Sequence, residues 1–121
     1  MRIVRLDASL AEPIGPRPFA VELAAAVELA SGEGEAHAYL VSFEAGGEIG
    51  PHTAEFGQLF LAVSGSGWVS AGDGVRTALR EGEAAFFERG EVHSKGSETG
   101  LTALMVQVRD LEVAASLPRG G

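Results

Sequence analysis

The sequence predicts an all-β domain, a sandwich or a barrel, on three observations. Glycine supplies 17 of the 121 residues, which is typical of a chain with many tight turns between short strands. Apolar segments of strand length alternate with polar, glycine-containing segments along the chain. The one segment with a helix-forming composition, residues 20–30 (AVELAAAVELA), has its apolar residues at a period of two.

For residues 20–30 we predict the secondary structure from the period of the apolar residues and not from the amino-acid composition. In a helix, Leu29 would fall almost on top of Glu22, so no continuous apolar face would form. In a strand, one face is entirely apolar and the other carries the glutamates. The apolar face consists of Val21, Leu23, Ala25, Val27 and Leu29. We therefore predict a strand here, although alanine is a poor strand former.

The rest of the chain divides into strands and turns by the same criteria. The predicted strands are residues 36–44, 58–65, the hairpin 67–79 with its turn at Asp73-Gly74, residues 84–88 and residues 101–108. Residues 31–35 (SGEGE) are predicted to turn, and residues 89–100 to form a loop that carries His93. Residues 58–65 are apolar on both faces, which predicts a strand buried between two layers.

Length and composition indicate a globular protein. With 121 residues, of which 45% are hydrophobic and 21% charged, the chain is long enough to bury a core. We expect one domain over residues 1–110 and a C-terminal tail, residues 111–121, that is a short helix or disordered. No apolar run approaches the ~18–20 residues of a membrane span, and the first residues lack the apolar region of a secretory signal.

Charge and cysteine content disfavour several classes of partner and site. The formal net charge of −8 opposes binding to phosphate backbones and to anionic membranes, so we expect neither nucleic acid nor membrane as a partner. The absence of cysteine from the sequence removes disulfides, thiolate metal sites and cysteine nucleophiles. This composition predicts a cytoplasmic protein.

Two of the three histidines lie at regular distances from glycines. One set consists of glycine, five residues, His-x-Ala, three residues, Gln, six residues and glycine; its members are Gly46, His52, Ala54, Gln58 and Gly65. A second set consists of glycine, five residues, Glu-x-Gly, two residues, His, three residues and Ser; its members are Gly82, Glu88, Gly90, His93 and Ser97. With both sets in this order and at this spacing, residues 43–97 resemble the cupin superfamily, whose motifs have His-x-His and Glu in the first set and Pro-x-Gly, His and Asn in the second.

The resemblance implies a jelly-roll β-barrel, also called a double-stranded β-helix, with a metal site inside. The usual ligands of the family are three histidines and one glutamate. Here Ala54 stands at the second histidine and Gln58 at the glutamate, so a ligand and an anionic oxygen are lost. The implied cofactor is one divalent metal (Zn, Ni, Fe or Mn), held weakly by His52, Gln58 and His93. No catalytic residue is predicted.

The same motif positions predict a ligand pocket. Its predicted lining is His52, Ala54, Phe56, Gln58, Phe60 and His93. Gln58 needs a partner there, because burying an unpaired amide costs ~1–3 kcal/mol. Glu55 is a reserve ligand if a bulge at Gly57 turns it inward. His37 shares a strand face with apolar residues and is predicted to be a core or interface residue.

Three functions are compatible with these features. The first is binding of a small polar molecule, such as a sugar or an organic acid, oriented by His52, Gln58 and His93. The alternative is a metal-dependent enzyme of the dioxygenase, isomerase or decarboxylase type. The third is a sensor or accessory domain acting through a homodimer, since cupins commonly pair and the segment FLAVSG (residues 60–65) would suit a buried intersubunit sheet.

Overall fold

Antiparallel β-strands make up nearly all the regular structure of the computed structural model, which describes residues 1–118. The strands are β1 (Arg2–Arg5), β2 (Glu12–Pro13), β3 (Ala25–Ala26), β4 (Ala30–Phe43), β5 (Glu48–Thr53), β6 (Gly57–Gly65), β7 (Gly67–Ser70), β8 (Arg76–Leu79), β9 (Glu83–Phe87), β10 (Val92–Gly96) and β11 (Leu101–Val113). A 3₁₀ helix, Ala8–Leu10, follows β1. No helix in the described part of the chain is long and apolar enough to cross a bilayer.

Two facing sheets and a small two-stranded sheet hold these strands. The larger sheet has the order β1-β9-β6-β11-β4, the second has the order β5-β10-β7-β8, and β2 pairs with β3. Every pairing is antiparallel. The main core consists of Phe43, Phe60, Ala62, Val69, Leu79, Ala85, Phe87, Leu101 and Ala103. The predicted all-β jelly-roll class is confirmed.

A second apolar cluster explains why β6 is apolar on both of its faces. Phe60 belongs to the main core, whereas its neighbour Leu59 packs with Val4, Phe86 and Leu117 in the second cluster. Alternate side chains of β6 therefore enter different apolar layers. The predicted burial between two layers is confirmed for residues 58–62 of the predicted strand 58–65, and the strand is exposed beyond them.

The strand predicted over residues 20–30 is largely wrong. Within it only Ala25–Ala26, which pair with β2, and Ala30, the first residue of β4, belong to strands, and Leu23 has a φ of 52° with its side chain fully exposed. Alanine offers little surface to pack on a sheet, so most of this segment does not form a ladder. Val27 and Leu29 nevertheless pack against the second apolar cluster.

Residues 31–35 are strand, where a turn was predicted. They belong to β4, which pairs with β11 along most of its length. A Cβ on Gly32 would lie 2.6 Å from the carbonyl oxygen of Asp110, so this glycine allows two backbones to approach closely.

The C-terminal tail also differs from its prediction. Residues 111–113 are the last residues of β11, so a short helix or disorder is wrong for them. Leu117 is buried in the second apolar cluster. The remainder of the predicted tail, residues 119–121, lies outside the described residues.

The predicted loop over residues 89–100 is wrong at its centre. Val92–Gly96 form β10, which pairs with β5 on one side and with β7 on the other. Four of its five residues are buried, despite a polar and glycine-containing composition. This strand carries His93 into the interior, and the site depends on it.

Candidate functional site

His52 and His93 face each other across β5 and β10. They are partners in the antiparallel register, and their Nε2 atoms are 3.1 Å apart. His93 is buried, with 1% of its surface exposed, whereas His52 is exposed at the sheet edge formed by β5. The pair therefore links the protein interior to solvent.

The partners of the two rings favour one arrangement of their hydrogens. The carbonyl oxygen of Gly50 can only accept, so Nδ1 of His52 donates to it, over 2.8 Å. Nε2 of a neutral His52 is then an acceptor, and Nε2 of His93 donates to it. This leaves Nδ1 of His93 as an acceptor for the amine of Lys95, 3.5 Å away.

Lys95, the only lysine in the sequence, is buried behind His93. Its Nζ lies 5.2 Å from the ring centre of Phe60 and 5.1 Å from that of Phe87, so two aromatic faces flank the amine. None of the ion pairs among residues 1–118 includes Lys95. Lys95 was not predicted to lie at the site, because the polar residues around it favour a loop in the sequence.

Burial shifts the pKa values of both interior groups. Desolvation lowers the pKa of Lys95 to about 8. Desolvation, and then the positive charges of Lys95 and His52, lower the pKa of His93 to about 3. At neutral pH the interior therefore holds an ammonium group beside a neutral imidazole.

A cavity of about 320 Å³ opens next to the two histidines. It is lined by His52, Thr53, Ala54, Glu55, Phe56, Gln58, His93 and Gln107. Five of the six predicted pocket residues lie in this lining. Phe60 does not line the cavity. It lies two residues beyond Gln58 in β6, is 0% exposed and belongs to the main core behind the cavity. The reserve residue Glu55 also lines the cavity, with an exposed side chain.

Gln58 presents an unsatisfied acceptor at the cavity. The residue is 2% exposed, and its Oε1 atom is buried without a hydrogen-bond partner among the described residues. An unpaired buried polar atom costs ~1–3 kcal/mol, so this oxygen is a position at which a donor on a ligand would be stabilised.

A row of polar side chains crosses the larger sheet from Gln58 to the cavity mouth. In register, Gln58 faces Gln107, and Gln107 faces His37. Residues opposite each other in adjacent strands point to the same side of a sheet. His37, predicted to be a core or interface residue, is half-exposed at the mouth and hydrogen-bonds to Glu35, over 2.6 Å.

An adjoining cavity of about 710 Å³ widens this mouth. It shares Ala54, Glu55, Phe56 and Gln107 with the first cavity. Arg109 also lines it, 5.4 Å from the ring centre of Phe56 and 3.1 Å from the carboxylate of Glu35. A further cavity of about 490 Å³, between β1 and β11, has no histidine in its lining. The first cavity is therefore the candidate site.

The side chains present do not fit a resident divalent metal as they are arranged. Within residues 1–118 no group of three or more His, Cys, Asp or Glu side chains is placed to hold an ion. Nε2 of His93 carries a hydrogen, and moving that hydrogen to Nδ1 would set it against the ammonium of Lys95. Weak metal binding would require this hydrogen-bond chain to rearrange.

Comparison with known proteins agrees with the geometry. The model of the cupin domain family matches residues 39–108, more than half of the chain. An RmlC-like cupin from Shewanella frigidimarina is 25% identical, with a TM-score of 0.57, and the match covers 62% of this chain and 67% of that one. No curated protein matches the sequence.

Two further solved structures show the same fold at lower identity. A cupin-like protein from Thermotoga maritima is 20% identical, with a TM-score of 0.58 and coverage of 65% of this chain and 64% of that one. A DMSP lyase from Ruegeria pomeroyi is 22% identical, with a TM-score of 0.56 and coverage of 65% and 41%. These likenesses concern the fold alone. On the family match, the two motifs and the facing sheets, this chain belongs to the cupin family.

Proposed function

We propose that this cupin binds a small polar molecule in the cavity beside His52 and His93. The observation that carries this proposal is the unpartnered Oε1 of Gln58, buried at the cavity that both histidines line. A hydroxyl or N–H group on a ligand would donate to this oxygen and remove the cost of leaving it unpaired. The ligand therefore carries at least one hydrogen-bond donor.

The lining fits a small ligand with both polar and apolar parts. A volume of about 320 Å³ is at the low end of the range for small-molecule sites. Phe56 offers an apolar wall at the mouth, and Gln107 a second amide. The proposal assigns no reaction to the site, because the described side chains show hydrogen-bonding groups without a defined catalytic pair.

A metal-dependent enzyme is the competing function. One structural neighbour is described as a predicted oxalate decarboxylase, from Thermotoga maritima, at 23% identity. At that identity its reaction is not transferred to this chain, since one fold hosts many activities. Turnover of a substrate that requires added metal and stops with a chelator would overturn the binding-only proposal.

Thermal unfolding of untagged, chelator-treated protein tests the proposal against a panel of small polyols, hydroxy acids and their amides. At least one compound is expected to raise the Tm of the wild type. The shift should disappear in Gln58→Leu and persist in Glu81→Gln, which changes an exposed turn residue outside the cavity lining. An equal shift in wild type and Gln58→Leu would contradict the proposed site.

A further inference from the structure

We propose that the ligand of this cavity is a small hydroxycarboxylate, and that Lys95, acting through His93, supplies the positive charge that selects its carboxylate. This inference rests on the proposed binding function and adds the chemical class of the ligand. It starts from the placement of Lys95, which neither the cupin motifs nor the family match accounts for.

An ammonium group without a carboxylate partner is unusual in a protein interior. Lys95 is 1% exposed, and no ion pair among residues 1–118 includes it. The rings of Phe60 and Phe87 and the Nδ1 atom of His93 compensate it only partly. A buried charge that lacks a fixed counter-ion is poorly explained by stability, and an anionic ligand would supply that counter-ion.

The hydrogen-bond chain connects this charge to the cavity. Lys95 donates to Nδ1 of His93, so the opposite N–H of the ring, on Nε2, is polarised and points toward His52. Both histidines line the cavity, whereas Lys95 lies behind them. A carboxylate oxygen that replaces Nε2 of His52 as the acceptor of this N–H would form a charge-assisted hydrogen bond without touching the lysine.

The other polar groups at the cavity indicate which functional group the ligand carries besides the carboxylate. Oε1 of Gln58 needs a donor, which a carboxylate cannot provide but a hydroxyl can. Glu55 would repel an anion, but its side chain is exposed and its charge is screened by solvent. In a chain of net charge −8, the interior ammonium is a local site that favours an anion.

Calorimetric titration of untagged, chelator-treated protein with glycolate, glycolamide and acetate tests the inference. Glycolate has the hydroxyl and the carboxylate, glycolamide replaces the carboxylate by a neutral amide, and acetate lacks the hydroxyl. We expect glycolate to bind at least about tenfold more tightly than glycolamide or acetate, because a tenfold difference corresponds to the loss of one such hydrogen bond.

Lys95→Met removes the charge and keeps the length of the side chain. Its Kd for glycolate should rise at least about tenfold, with little change for glycolamide. Arg80→Met, which removes an exposed cation from a turn, is the matched control and should bind glycolate like the wild type. Lys95→Gln serves in the same way if Lys95→Met does not fold.

The outcomes separate this inference from the proposed function. Equal affinity of the wild type for glycolate and glycolamide, or unchanged glycolate binding by Lys95→Met, would overturn the selection of a carboxylate and leave small-molecule binding intact. If neither these three probes nor any compound of the thermal-unfolding panel binds to the wild type, both proposals fail.

Discussion

Nζ of Lys95 lies 3.5 Å from Nδ1 of His93, on the side of the imidazole that faces away from His52. The lysine thus contacts one nitrogen of a histidine whose other nitrogen is hydrogen-bonded to His52 at the cavity. This relationship places a positive charge inside the sheets and determines which ring nitrogen carries the hydrogen. Both groups should therefore affect stability in a way that depends on pH.

Lys95→Met should stabilise the protein at pH 7. The pKa of Lys95 is lowered to about 8 by burial, so holding its ammonium in the interior is unfavourable. Replacing it with an apolar side chain of similar length should raise the free energy of unfolding by about 1–3 kcal/mol. Urea denaturation of both proteins measures the difference, and Arg80→Met should be unchanged.

Because the pKa of Lys95 is lowered, the difference in free energy of unfolding between Lys95→Met and the wild type should depend on pH. Between pH 8 and 10.5 the unfolded chain still binds the lysine proton that the native wild type has lost. Wild-type stability therefore rises through this window relative to Lys95→Met, and the difference between the two proteins narrows. A difference that stays constant from pH 7 to 10 would show that Lys95 is not desolvated.

Acid should destabilise the wild type more than His93→Gln. The pKa of His93 is lowered from 6.5 to about 3, so below pH 6.5 the unfolded state binds a proton that the native state does not. The stability linked to neutral His93 is fully present above pH 6.5 and is lost as the pH falls toward 3. At pH 5 the expected loss is about 2 kcal/mol relative to pH 7.

Urea melts of the wild type and His93→Gln at pH 7 and pH 5 measure this effect. Titration of the carboxylates is common to both proteins and largely cancels in the comparison. Equal acid sensitivity would show that His93 titrates with an ordinary pKa and is not held neutral beside Lys95.

The spacing of the two motifs is sufficient to predict that the two histidines share a pocket. His52 and His93 are 41 residues apart in the chain, yet both lie at motif positions. The neighbouring strands β6 and β7 were predicted from apolar segments between glycine turns, whereas β5 and β10, which carry the two histidines, were not predicted as strands. Lys95 was missed because residues 89–100 were assigned to a loop from their composition. A strand assignment would have placed Lys95 on the same face as His93, since side chains two residues apart share a face.

Gln107 and His37 could not have been placed at the site from the sequence. Their positions follow from the register of three neighbouring strands, which brings Gln58, Gln107 and His37 into one row. Register depends on bulges, such as the one between Val108 and Asp110, and these have no clear signal in a single sequence.

Restoring the ligands that the family usually has should create a metal site. In Ala54→His with Gln58→Glu, a third imidazole and an anionic oxygen join His52 and His93. We expect the purified untagged wild type to contain well below one equivalent of divalent metal, and the double variant to approach one. Elemental analysis before and after chelation measures both.

A wild type that retains a full equivalent of metal would contradict this interpretation of the site. The same measurement on His52→Ala then shows whether the metal lies at the predicted position, because loss of the imidazole should release it.

The homodimer predicted from the sequence leads to a test on the outer face of the larger sheet. Leu40 is 74% exposed and pairs in register with Leu104, which is 36% exposed and pairs with Leu61. Leu40→Glu should shift the sedimentation coefficient toward that of a monomer, with unchanged thermal stability of the monomer itself. A wild type that sediments as a monomer at micromolar concentration would rule out the dimer.

The site borders an edge of the smaller sheet, and this has a consequence for solubility. Within residues 1–118, strand β5 pairs with β10 on one side only, and its residues 50–53 are exposed. An open strand edge can recruit a strand from another molecule, which is a common route to aggregation. Pro51 has no N–H to offer such a strand, and it directly precedes His52. The chain can therefore leave the cavity open to solvent while making strand addition at that edge unfavourable.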